Sequence, residues 1–335
     1  MVFLSTILDV KDLETCFKLR RGNLHAVNGV TFQLKKGEML GIVGESGCGK
    51  SVTMLSLIRL LPPAAKVLNG SVLLHGKDLL QLNIKKLRSI RGAKIGMIFQ
   101  DPMTSLNPVV KIGLQMSEPL IYHRGKSMKE ALKMSADILE LVGIAGSTER
   151  LNEYPHQLSG GMRQRVMIAM SLVCEPEIVI ADEPTTALDV TIQAQIVELV
   201  KDLREKLNTS FIWITHDLGL ISGMVDRICV MYAGYIIEEA LVDDIYYDPR
   251  HPYTLALLGC IPKKNDNKSK SKRLTCINGS PPDLAVKPTC CPFISRCEYS
   301  IERCKIENPP LKPVPGADLD SRHIVACWVD ISDKA

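Results

Sequence analysis

The apolar run Met39–Val43 gives way to Gly44-Glu45-Ser46-Gly47-Cys48-Gly49-Lys50-Ser51, and a helical pattern opens at Gly49. A strand, a glycine-rich loop and a helix in this order leave few folds open, because the loop must bend sharply while its backbone N–H groups converge. Glycines leave those amides uncovered, and the helix N-terminus adds partial positive charge, so the loop is suited to hold a phosphate. In this G-x-x-x-x-G-K-[ST] pattern Lys50 is placed to reach β- and γ-phosphates, and Ser51 to ligate Mg²⁺.

The surrounding pattern is that of an α/β domain running from about Ile7 to Tyr253. Met39–Val43, Ile95–Phe99, Ile178–Ala181 and Phe211–Thr215 are nearly continuous apolar runs, as strands covered on both faces require. The helix opening near Gly49 is expected to close at Pro62-Pro63. A second helix is expected from Gly160 to about Val173, with Val166, Ala169, Met170 and Val173 on one face. Ile178–Ala181 ends in Asp182-Glu183. A carboxylate at the end of a strand beside a phosphate loop can hold Mg²⁺, and the next can orient and deprotonate an attacking water.

Composition narrows the class. The 335 residues suggest about two domains, and 46% hydrophobic against 23% charged residues is globular. The formal charge of +4 is smaller than the +5 carried by Lys263–Arg273 alone, so the charge balance is too mild to argue for nucleic acid by itself. That run reads as a solvated linker, or as a segment weakly attracted to an anionic membrane surface. No apolar run approaches the roughly 18 residues of a membrane span, and the first residues do not form a signal peptide. A cytoplasmic location is expected.

The motifs around the loop carry a resemblance. Leu158-Ser159-Gly160-Gly161-Met162-Arg163-Gln164-Arg165 is similar to the signature motif of ATP-binding cassette ATPases and lies between the phosphate loop and Asp182-Glu183, in that family's order. Gln100 matches the Q-loop glutamine, Ala187-Leu188-Asp189 the D-loop and His216 the switch histidine. The resemblance implies a RecA-like core with an antiparallel β subdomain and a helical signature subdomain. Two such domains would sandwich two ATPs head to tail, so this chain needs a second copy or a paralogue. It also implies Lys50, Glu183 as general base and His216 at the γ-phosphate; Ser51, Gln100 and Asp182 at Mg²⁺; and Phe17 stacked on adenine. Gly44 to Val52, Ser159, Gly160, Gly161 and Asp189 complete the expected nucleotide contacts.

Within that family, Phe99-Gln100-Asp101-Pro102-Met103-Thr104-Ser105-Leu106-Asn107-Pro108, His251-Pro252-Tyr253-Thr254 and Gly279-Ser280-Pro281-Pro282-Asp283-Leu284 resemble ATPases of oligopeptide and dipeptide permeases. The likeness implies a peripheral protein on the cytoplasmic face of the membrane, powering peptide import through two integral permease subunits fed by an extracellular solute-binding protein. ATPases of nickel and other small-solute importers are similar. A soluble cassette ATPase working on nucleic acid or ribosomes is the rival from another class, but those commonly carry tandem cassettes or a coiled-coil insertion, and neither is present.

The expected division is a cassette over 1–258 and a basic linker with a Cys-rich region over 259–335. Six of eleven cysteines, from Cys276 onward, fall in the last sixty residues. In a reducing compartment such crowding points to metal ligation rather than disulfides. Cys291, Cys297, Cys304 and Cys327 supply four thiolates, which select an iron–sulfur cluster or zinc. The spacing fits zinc knuckles poorly and a [4Fe–4S] cluster better, and the permease resemblance implies such a cluster. Cys276 and Cys290 are left as spare thiols or alternative ligands.

Overall fold

A computed structural model describes residues 5–20, 22–186, 188–261, 277–316 and 322–332. The Lys263–Arg273 run, Cys276 and Ala187 lie outside the described residues. The chain packs as two compact units, one of Met1–Ile7, Leu34–Met39 and Gln81–Ile214, the other of Leu8–Gln33, Leu40–Leu80 and Thr215–Ala335.

In the first unit three parallel strands, Ile95–Ile98, Ile178–Asp182 and Ser210–Thr215, lie side by side with Ile178–Asp182 in the middle. Ile178–Asp182 and Ser210–Thr215 are buried throughout, which accounts for the apolar runs Ile178–Ala181 and Phe211–Ile214 within them. The first strand stops at Ile98, and Phe99 is exposed. Helices Ile112–Arg124, Met128–Leu141 and Gly160–Leu172 pack together in the same unit. Leu120, Ala131, Val173 and Cys174 form a core there, with Met134 and Ile138 packed against it.

The Gly160–Leu172 helix buries Val166 and Ala169 as expected, but Met170 is only half-buried while Gln164, Met167, Ile168, Ser171 and Leu172 are buried too. It touches the Ile95–Ile98 strand as well as the other helices, so the single-face reading was too narrow.

In the second unit the Met39–Val43 strand pairs in parallel with Arg227–Tyr232, Leu40 opposite Arg227 and Val43 opposite Val230. A two-residue turn at Ala233-Gly234, φ 50° and 82°, returns the chain as the antiparallel strand Tyr235–Leu241. A separate four-stranded antiparallel sheet takes the order Gly22–Lys35, Thr6–Leu19, Ala65–Leu74, Lys77–Asp78.

The Cys-rich tail extends the first of these sheets. Ile324–Val325 pairs with Glu238 and Glu239, and Lys312–Pro313 pairs outside it. The Glu238 carboxylate, fully buried, accepts backbone N–H groups of Arg250 at 2.6 Å and His251 at 3.0 Å, and lies 2.9 Å from His323 Nε2. Phe293 and Ile331 from the tail are buried as well.

The helix after the phosphate loop spans Lys50–Leu57 and does not reach Pro62. The Arg59 N–H turns back to the Ser56 carbonyl at 3.1 Å, with Arg59 at φ 52°. A left-handed residue therefore closes this helix, and the prolines follow later.

Candidate functional site

The phosphate loop is held by backbone geometry that only glycine meets at two positions. A Cβ on Gly44 would lie 2.2 Å from the Met231 carbonyl oxygen, and one on Gly49, at φ 102°, 2.3 Å from that of Ala26. The Ala233-Gly234 turn props the loop, with the Gly234 N–H donating to the Cys48 carbonyl at 2.9 Å. Asn28 fixes that turn, its side chain donating to the Ala233 carbonyl at 3.0 Å.

Lys50 is buried, and its ammonium donates to the carbonyls of Gly44 at 2.8 Å and Glu45 at 2.9 Å. It is thus fastened across the mouth of its own loop, at the place where a phosphate would compete for it. The Cys48 thiol lies beneath the loop, and burial raises its pKa, so it stays protonated. Ser46 and Gly47 are exposed, and Ser51 and Val52 are half-buried on the first helical turn. Phe17 is half-buried near the end of its strand, opposite Ala65. His216 follows Thr215 and is exposed.

Two contacts to the loop went unread in the sequence. The Glu45 N–H donates to the Tyr253 hydroxyl at 2.8 Å, so this amide serves the loop's own framework. The Glu45 carboxylate takes two hydrogen bonds from Arg296, at 2.6 and 2.9 Å. Tyr253 stands in the His251-Pro252-Tyr253-Thr254 motif, but nothing in the sequence couples residues 45 and 296.

The acidic constellation belongs to the first unit. Asp182 ends its strand buried, opposite Ile214. Glu183 sits at φ 44°, an unusual conformation for a non-glycine residue, and its N–H donates to the Ile214 carbonyl at 3.1 Å. Its carboxylate accepts from Thr186 Oγ1 at 3.0 Å and Gln100 Nε2 at 3.3 Å. Gln100, expected at Mg²⁺, is therefore brought to Glu183. Backbone and side-chain constraints together aim one carboxylate, as a residue that orients water requires.

Ser159 caps the Gly160–Leu172 helix, accepting the Met162 N–H at 3.3 Å, and Ser159 and Gly160 are exposed. Asp189 caps Val190–Leu207, accepting the Ile192 N–H at 3.0 Å. Both residues are exposed.

In the second unit Cys291, Cys297, Cys304 and Cys327 line one cavity, with His251, Phe293 and Trp328 among the other walls. Among the described residues no three Cys, His, Asp or Glu side chains are grouped to hold one metal ion. Burial pushes Cys291 up to about 12 and Cys327 up to about 11, and raises Cys297. Against that burial, the N–H groups of Phe293, Tyr299 and Val329 hydrogen-bond to Cys291, Cys297 and Cys327, each from two residues on. The cysteines thus share one cavity, but among the described residues they are not drawn together as the ligands of one metal ion. Cys290 is half-buried and does not line the cavity.

Residues 27–186 match the family described as ABC transporter, and residues 237–304 match the oligopeptide/dipeptide transporter C-terminal region. The chain belongs to the ABC transporter ATPases, enzymes that couple ATP hydrolysis to transport, in the branch bearing that C-terminal region. It is 51% identical over 325 residues to the dipeptide transport ATP-binding protein DppD of Bacillus subtilis, covering 96% of this chain and 94% of that protein. The oligopeptide transport ATP-binding protein OppD of the same organism is 49% identical, over 98% of this chain and 90% of its own. Among solved structures, the ATP-binding cassette MJ0796, a dimer bound to ADP and Pi, superposes with a TM-score of 0.63 at 30% identity, covering 70% of this chain and 98% of that one. The cassette fold expected from the motifs is thereby established.

Proposed function

We propose that this chain is the ATP-hydrolysing subunit of a peptide importer, working as one of two cassettes in a head-to-tail dimer on the cytoplasmic face of the membrane. What supports this reading is likeness over nearly the whole chain to dipeptide and oligopeptide transport ATP-binding proteins. Among the described residues no helix is long and apolar enough to cross a membrane; in this reading two integral permease subunits form the pathway.

In this reading the loop amides and Lys50 bind the phosphates, and Phe17 packs on the adenine. Ser51, Gln100 and Asp182 supply the hard oxygen ligands that suit Mg²⁺. Glu183 takes the proton of the attacking water, with His216 at the γ-phosphate. Ser159, Gly160, Gly161 and Asp189 meet the nucleotide bound by the other cassette. ATP then closes the dimer, closure moves the membrane subunits, and hydrolysis reopens it. Residues 1–258 form the cassette and 259–335 the linker and Cys-rich region. Cys291, Cys297, Cys304 and Cys327 hold a [4Fe–4S] cluster, which lends the tail structural rigidity when bound. The four thiols lining one cavity support that assignment, with zinc the alternative.

The test is reconstitution with candidate permease subunits in lipid vesicles. ATP-dependent uptake of labelled di- and oligopeptides, lost in Lys50→Ala, is the expected result. Uptake of nickel but not peptides would reassign the solute, and co-purification with rRNA or DNA instead of membrane subunits would overturn the reading.

A further inference from the structure

Arg296 lies in the single helical turn Ile294–Arg296, directly before Cys297 and five residues after Cys291. Its side chain is 2% exposed. The guanidinium makes the two-pronged contact with Glu45 already described, and donates to the carbonyls of Asn278 at 2.9 Å and Ile277 at 3.2 Å and to the Tyr232 hydroxyl at 3.3 Å. Every arm of the fork is engaged, so the side chain is held in one pose.

Glu45 is an anomaly for an anion site: a carboxylate inside the loop that is meant to attract phosphate. Left alone, its charge would oppose every phosphate approaching the loop amides and Lys50. With Arg296 it forms an ion pair of zero net charge and is tied down. A second link runs in parallel. The Phe293 ring packs 5.4 Å from that of Tyr253, whose hydroxyl holds the Glu45 N–H. Both the side chain and the amide of Glu45 are thus governed by the Cys291–Cys297 segment.

We infer that Arg296 is a positioning residue of the nucleotide site, and that the Cys291–Cys297 loop sets the ATP affinity of the phosphate loop through it. The inference rests on the nucleotide and cysteine-site readings above. Arg296 and Phe293 join the Cys291–Cys297 segment to the phosphate loop, and losing the Arg296 contact leaves the Glu45 charge uncompensated in the anion site.

The test is the Kd for ATP, measured by fluorescent-nucleotide displacement on the full-length chain prepared without oxygen. Arg296→Ala is expected to weaken binding by roughly tenfold. Adding Glu45→Gln to that variant should restore most of the loss, because the uncompensated charge is gone, and Arg296→Lys should fall between. An unchanged Kd in Arg296→Ala overturns the inference; so does a double variant as weak as the single one, which would reduce Arg296 to scaffolding. For the second link, Phe293→Ala should loosen Tyr253 and weaken ATP binding, with no further loss when combined with Tyr253→Phe. An unchanged Kd in Phe293→Ala would cut that link out of the inference. A wild-type chain that binds no ATP is a different failure, that of the nucleotide reading itself.

Discussion

The hydroxyl of Tyr253 accepts the backbone N–H of Glu45 at 2.8 Å, joining the helix Pro252–Gly259 to the phosphate loop. Tyr253 is fully buried, and burial holds its phenol far above the ordinary range, so it remains a neutral partner. Tyr253→Phe leaves that amide without its acceptor, at a cost of about 1–2 kcal/mol. Urea unfolding should show the loss, and ATP binding should weaken several-fold because the loop is less well ordered. If both stay at wild-type values, the bond contributes nothing.

Glu183 has its backbone held at φ 44° and its carboxylate held by Gln100 and Thr186. Glu183→Gln keeps the shape and removes the proton acceptor. Hydrolysis should fall by at least 10²-fold while ATP binding persists and closed dimers accumulate on size-exclusion chromatography with ATP. A substantial residual rate would take the base role away from Glu183.

Asp189 has a measurable local duty that is separate from any contact with a second cassette. Asp189→Ala removes the cap of the Val190–Leu207 helix and should cost about 1 kcal/mol, while Asp189→Asn keeps an acceptor for the Ile192 N–H and should cost little. Equal stability but unequal ATP-driven dimerisation in the Asn variant would isolate the intermolecular role. Matching losses of stability in both variants would show that capping is not what Asp189 supplies.

His251 is buried, and its ring nitrogen accepts the Tyr253 N–H at 3.0 Å. Burial lowers its pKa to about 3. Between about pH 3 and its ordinary value near 6.5, the unfolded chain carries a proton on His251 that the folded chain refuses. This contribution is therefore fully present above pH 6.5 and shrinks as the pH falls, by about 2 kcal/mol at pH 5. His251→Asn retains a cap acceptor without a titrating ring. Its unfolding free energy, compared with wild type at pH 7 and pH 5, should show a smaller acid loss; parallel curves would show that His251 does not carry it.

Much of the cassette was legible because its evidence is local. A phosphate loop shows itself by its own glycine spacing, with Gly47 and Gly49 at φ 80° and 102°, conformations that glycine adopts freely. Doubly covered strands show near-continuous apolar runs such as Ile178–Ala181, so their place and type can be read directly. The Asp182-Glu183 pair announced itself by ending such a strand. Local signals misled where two carried different weight: Pro62 marked a helix end that a left-handed Arg59 had already made, and the face of Gly160–Leu172 was underestimated because sequence spacing does not count neighbours.

What the sequence by itself determined is the chemistry on offer: a phosphate loop with its lysine, a strand-end carboxylate pair, two capped helix starts and four thiols in a segment poor in apolar residues. The tertiary structure alone decided how some of these meet. It placed Ile324–Val325 on the edge of the Tyr235–Leu241 strand, gathered four cysteines spread over 37 positions around one cavity, and set Arg296 on Glu45, 251 residues away. The reason is physical. Turns, caps and strand burial depend on neighbours in the chain, whereas a buried guanidinium finds its carboxylate only after the sheet and the tail have packed.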